Sequence, residues 1–162
     1  MERTTKLSAD LGALLAQHGL VMTSAESCTG GGVATAITDI AGSSQWFDRA
    51  FVTYSNEAKM EMLGVSADTL EAHGAVSEAV VVEMVRGALA HSRASIAVAI
   101  SGIAGPGGGT VEKPVGTVCF AFADTTGWMQ VDSLLLSGDR AAVREQAVCY
   151  ALTQLQQHLA KI

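Results

Sequence analysis

Ile96-Ala97-Val98-Ala99-Ile100, followed at once by Ser101-Gly102-Ile103-Ala104-Gly105-Pro106-Gly107-Gly108-Gly109, is the stretch that decides how this chain is built. Five consecutive apolar residues without alternation read as a strand covered on both faces, the central position of a sheet flanked by helices. The strand then empties into small residues and glycines. Such a loop reads either as a flexible connection or as the wall of a ligand site.

Downstream, residues 115–123 and 128–136 read as two strands joined by Asp124-Thr125-Thr126-Gly127, a hairpin signal. In the second, Met129, Val131 and Ser133 alternate with Gln130 and Asp132, which places it near a sheet edge. Ser137 is expected to cap a last helix with the apolar stripe Val148, Leu152, Leu155 and Leu159. Upstream, Leu7, Leu11, Leu14 and Leu15 share one face of a helix over 8–17 that Gly19 ends. A strand is expected at 20–24, a helix at 31–40 and a second strand at 50–54. Ser55 reads as an N-cap with Ala58 at N3, opening a helix that carries Lys59, Met60 and Leu63 and stops at Gly64. Ser77 opens another, with Val80, Met84, Val85 and Leu89 on its buried face. Strands separated by helices, plus one hairpin, predict a three-layer α/β/α sandwich with a mixed, mostly parallel β-sheet, in a single domain over 1–162.

Composition narrows the function classes. With 49% hydrophobic and 16% charged residues the chain is globular and not disordered. The net charge is −6 and no Lys/Arg cluster occurs, so no phosphate-tracking patch for nucleic acid is present. The longest uncharged stretch, 94–111, is half glycine loop and cannot be a spanning helix. Asp10 interrupts what would have to be a signal-peptide core after Met1-Glu2-Arg3-Thr4-Thr5-Lys6, so a cytoplasmic location and no membrane partner are expected. Cys28, Cys119 and Cys149 lack Cys-x-x-Cys spacing, and His18, His73, His91 and His158 lie far apart. Neither a disulfide framework nor a metal site is suggested, and no cofactor is expected. Cys119 and Cys149 read as buried small hydrophobes.

Chemistry concentrates at Ser24-Ala25-Glu26-Ser27-Cys28-Thr29-Gly30-Gly31-Gly32, between an apolar strand and a helix. A Ser or Cys there could attack a carbonyl, with nearby N–H groups receiving the oxyanion. Alternatively Ser27 or Thr29 simply caps the helix. The patterns Gly-x-Ser-x-Gly, Walker A and Gly-x-Gly-x-x-Gly at a dinucleotide position are all missing, and no Ser–His or Cys–His signature occurs. A serine without histidine needs another base. Tyr54-Ser55-Asn56-Glu57-Ala58-Lys59 supplies one at a second strand–helix junction, facing the crevice where open α/β sheets bind ligands. Lys is a poor base at its free pKa of about 10.4, and each unit of lowering requires about 1.4 kcal/mol. Burial would supply that. The other reading makes Lys59 a surface lysine and Tyr54 a strand-end aromatic.

The motifs SAESCTGG, DIAGSSQWFDRAFVTYSNEAK, HGAVS, SGIAGPGGG with EKPVGTV, and SGDR followed by AAVR occur in this order over nearly the whole chain. Together they resemble the CinA C-terminal-domain family, and within it the stand-alone nicotinamide-nucleotide amidohydrolases. The resemblance implies metal-independent hydrolysis of the carboxamide of nicotinamide mononucleotide, a small-molecule partner. A homo-oligomer, a dimer first, is expected. The resemblance places the family's serine on Ser27 and its tyrosine and lysine on Tyr54 and Lys59. Ser27 would then be the nucleophile, Lys59 its base, and Tyr54 an orienting or proton-passing group. N–H groups near Cys28 to Gly30 would receive the oxyanion. By loop position, Thr29, Ser101, Gly102, Gly105, Gly107 and Arg140 are candidates for holding ribose and phosphate. Two other functions stay open: an amidase for another small amide, and a nucleotide-binding or competence-associated module without catalysis.

Overall fold

Residues 2–162 are described by the structure, a computed structural model. In chain order the elements are α1 (Glu2–His18), β1 (Met22–Glu26), α2 (Gly32–Thr38), a 3-10 turn (Ser43–Gln45), β2 (Phe47–Val52), α3 (Asn56–Leu63), α4 (Ala67–His73), α5 (Glu78–Ala90), β3 (Ile96–Gly102), β4 (Thr117–Asp124), β5 (Met129–Leu135) and α6 (Arg140–Lys161). The sheet order is β2-β1-β3-β4-β5. β1 pairs in parallel with both β2 and β3, whereas β4 is antiparallel to β3 and to β5. Four of the five strands therefore run in one direction, with β4 alone reversed, and the alternating strand β5 is an edge.

The two faces of the sheet differ in side-chain size, and this sets how each helix layer sits. Met22, Ile96, Val98, Ile100, Val118, Phe120 and Phe122 point to α1, α2 and α6, where they meet Leu11, Leu15, Ile37, Val143, Leu152, Leu155 and Leu159. Ala25, Ala97, Ala99, Ala121 and Ala123 point the other way, where Val80, Val81, Met84 and Val85 of α5 lie against them. The small face lets α5 approach closely. Gly87 lies so near α3 that a Cβ there would fall 1.9 Å from the Leu63 carbonyl oxygen. Burial on both faces explains the unbroken apolar run of β3.

Several expected boundaries move. β1 extends to Glu26, not to Ser24, because its polar residues are buried with partners: Thr23 Oγ1 donates to the Arg49 carbonyl at 2.6 Å and Ser24 Oγ to Glu26 at 2.9 Å. β2 starts three residues early, at Phe47, and α1 starts at Glu2. α4 was not expected, since it buries no residue and has no apolar stripe to read. Ser137 does not cap α6. Gly138, at φ 107, turns the chain, and the Asp139 carboxylate accepts from Ala142 N at 2.9 Å instead. Ser55 and Ser77 do cap α3 and α5, accepting from Ala58 N and Val80 N. Among the described residues no helix is long and apolar enough to cross a membrane.

Candidate active site

The carboxyl ends of β1, β2 and β3 converge, and each delivers one part of a cavity. β1 ends in Glu26, a fully buried carboxylate held by four donors. Ser24 Oγ (2.9 Å) and Ala34 N (3.0 Å) bind one oxygen; Thr29 Oγ1 (2.7 Å) and Val33 N (2.9 Å) bind the other. This arrangement satisfies the first N–H groups of α2, so they are not available to a ligand. The turn beyond it is tight: Gly30 N donates to the Ser27 carbonyl and Gly32 N to that of Thr29. Gly30, at φ 58, adopts a conformation that disfavours a side chain. The N–H groups of Cys28 and Thr29 make no backbone hydrogen bond among the described residues.

Ser27 is anchored by its N–H on the Ile100 carbonyl at 3.0 Å, continuing the β1–β3 ladder one residue past the strand. Its Oγ lies 3.1 Å from Lys59 Nζ, which also donates to the Thr53 carbonyl at 3.0 Å. Lys59 is only 1% exposed and Ser27 7%. α3 presents Lys59 inward one turn after its Ser55 cap. Burial holds the amine below the ordinary lysine range, only partly opposed by the Cys28 thiol. Cys28 is also buried, and desolvation pushes its thiol up to about 11. The amine is thus shifted toward a base, and the neighbouring thiol away from a thiolate.

Tyr54 stands apart from this pair. Its side chain is 64% exposed, and its hydroxyl accepts from Arg140 Nη2 at 3.2 Å, with no hydrogen bond to Ser27 or Lys59 among the described residues. Arg140 also donates to the Gly105 carbonyl at 2.8 Å, tying the glycine loop to the start of α6. A cavity of about 310 Å³ joins Ser27, Cys28, Tyr54, Lys59, Ser101, Gly102, Gly105, Gly107 and Arg140. Thr29 and Gly30 are elsewhere. They line a groove of about 400 Å³ on the other side of the turn, with Thr35, Asp39 and Arg144.

Residues 4–159 match the family described as CinA C-terminal domain. The chain belongs to that family. It is 61% identical over 152 residues to the nicotinamide-nucleotide amidohydrolase PncC of Escherichia coli, covering 94% of this chain and 92% of that one. It is 49% identical to the protein of the same name from Pseudomonas putida, covering 97% and 98%. Its fold is similar to the crystal structure of the competence/damage inducible protein CihA from Agrobacterium tumefaciens, with TM-score 0.94, 44% identity and 98% and 96% coverage.

In this CinA C-terminal domain several cavity residues had no sequence signal of their own. Asn56, Ala75 and Val76 line it. The last two belong to the HGAVS motif, which carried resemblance without a role. Lys113 Nζ donates to the His73 carbonyl at 2.6 Å, fastening the glycine loop to that turn. Glu26 and Arg144 were quoted within motifs and given no role. Among the described residues no three His, Cys, Asp or Glu side chains converge on a point that could hold a metal.

Proposed function

We propose that this chain hydrolyses the carboxamide of nicotinamide mononucleotide to nicotinate mononucleotide and ammonia, within pyridine-nucleotide recycling. The observation that carries the reading is the buried contact of 3.1 Å between Ser27 Oγ and Lys59 Nζ at the floor of a cavity. The name of the 61% identical relative supplies the substrate class.

The geometry supports acyl transfer to Ser27. Neutral Lys59 accepts the Ser27 proton while Oγ bonds to the carboxamide carbon. The oxyanion meets the Thr29 N–H, which has no backbone acceptor among the described residues, beside the Cys28 N–H. As the C–N bond breaks, Lys59 returns its proton to the nitrogen and ammonia leaves. Water then gives a proton to Lys59 and its oxygen to the acyl carbon. Ser27 departs with that proton, and nicotinate mononucleotide is released. The Thr53 carbonyl holds the amine through both halves. Tyr54 and Arg140, joined at the mouth, position the nucleotide with Ser101, Gly102, Gly105 and Gly107.

The test is direct. Purified protein is mixed with nicotinamide mononucleotide, and ammonia and nicotinate mononucleotide are measured together. Equal amounts of both are expected. Silence on this nucleotide, with ammonia released from another amide in a panel, would reassign the substrate. Silence on every amide would favour a binding module.

A further inference from the structure

The Cys28–Thr29 peptide is a partition. Cys28 lines the Ser27 cavity, and Thr29 lines the groove behind it. Arg144, on the second turn of α6, reaches this partition from the groove side. Its Nε donates to the Cys28 carbonyl at 3.0 Å and its Nη2 to the Thr29 carbonyl at 3.4 Å. The guanidinium packs so closely that a Cβ on Gly30 would lie 3.2 Å from Nη2. Thr29 is also held from within the fold, its Oγ1 donating to the buried Glu26 carboxylate at 2.7 Å.

Peptide geometry turns this grip into a consequence for the cavity. A trans peptide points its N–H opposite to its C=O. Holding the Cys28 carbonyl toward Arg144 therefore directs the Thr29 N–H away from the groove. That N–H has no backbone acceptor among the described residues. A planar fork that always carries charge suits the task, since neither its protonation nor its geometry changes during turnover.

We propose that Arg144 is a positioning residue. It holds the Cys28–Thr29 peptide from behind so that the Thr29 N–H meets the oxyanion, and it never touches the substrate. This rests on the hydrolase reading above. The groove beside Arg144 is open, at about 400 Å³, so a small cation can enter the space its side chain leaves.

The experiment compares wild type, Arg144→Ala and Arg144→Lys. With nicotinamide mononucleotide, Arg144→Ala should lose about 100-fold in kcat, the scale of a misplaced catalytic group. KM should stay within about threefold, because an interaction used only in the transition state is lost. The pH limb should not move, and guanidinium at a non-denaturing concentration should restore part of kcat. Arg144→Lys keeps the charge without the fork and should fall between the two. A KM rise with kcat held would overturn the proposal and make Arg144 a substrate ligand. Wild-type kcat in Arg144→Ala would overturn it outright. If Arg144→Ala does not fold, Arg144→Lys decides by the same split. A second readout uses no nucleotide: the rate at which phenylmethylsulfonyl fluoride labels Ser27, followed by mass spectrometry. Slower labelling in the variants supports the role, and equal labelling overturns it. A wild type that labels but does not deamidate the nucleotide would sink the substrate reading alone.

Discussion

Lys59 is among the largest fully buried side chains of this protein, an unusual place for an amine. Its lowered pKa has two measurable consequences. Only the neutral form accepts a proton, so kcat should rise with pH along a limb below the free lysine value of about 10.4. Lys59→Arg should be nearly inactive, because guanidinium stays charged. Near-normal turnover in Lys59→Arg would leave Lys59 as a substrate clamp. The second consequence concerns stability. Between the lowered folded value and the ordinary unfolded one, the unfolded chain binds more protons, so stability rises with pH. As pH falls through the folded value, wild type should lose Tm relative to Lys59→Met, and scanning both variants from alkaline to mildly acidic pH checks the sign. The neighbouring thiol gives a companion test. With Cys28 held up at about 11, Cys28→Ser should keep substantial activity and Ser27→Ala should have none. Ammonia release by the two variants separates them. The meeting of Ser27 with Lys59 was legible, because two strand–helix junctions open on one crevice; Tyr54, picked by the same spacing, stands apart from the pair and bonds Arg140. Glu26 was not legible. Nothing in the sequence marks this strand-end carboxylate as buried, and its partners include two backbone N–H groups that no sequence pattern displays.

Elements place these residues, and two contacts between elements can be tested. Gly87 of α5 touches the backbone at the end of α3, the helix that carries Lys59. A methyl group there meets a carbonyl, not a flexible side chain, so α3 must shift. Gly87→Ala should cost roughly 1–3 kcal/mol, the range for overpacking. It should also lower kcat by moving Lys59 from Ser27. Urea unfolding and steady-state kinetics on one preparation would show whether the two losses travel together. At α6, Asp139→Ala should cost about 1 kcal/mol and Ser137→Ala close to nothing. The sequence misled here because both residues are good caps two positions apart. Only the positive φ of Gly138 decides between them. α4 escaped for a related reason: with Leu70 alone packed against the core and no residue fully buried it leaves no periodic trace, although Ser66 caps it by accepting from Asp68 N.

At the scale of the whole molecule the sheet has a working half and a supporting half. β1, β2 and β3 run in parallel and end at the cavity, while β4 and β5 extend the core. The alternating layers were readable from the unbroken apolar run of β3 and the hairpin that follows. The cavity was less so, because its walls come from segments as distant as Ser27, Val76, Gly105 and Arg140. The proposed base is an amine, so activity should survive exhaustive chelation. A loss restored by one divalent ion would overturn that mechanism. The reversed strand β4 has a practical side. Asp124 pairs with Ile96, and Val118 with Gly102, so the hairpin of β4 and β5 lies at the end of the sheet away from Ser27. A short flexible tether inserted after Thr126 would emerge from that far end. The protein could then be anchored to a solid support with its cavity facing the solution.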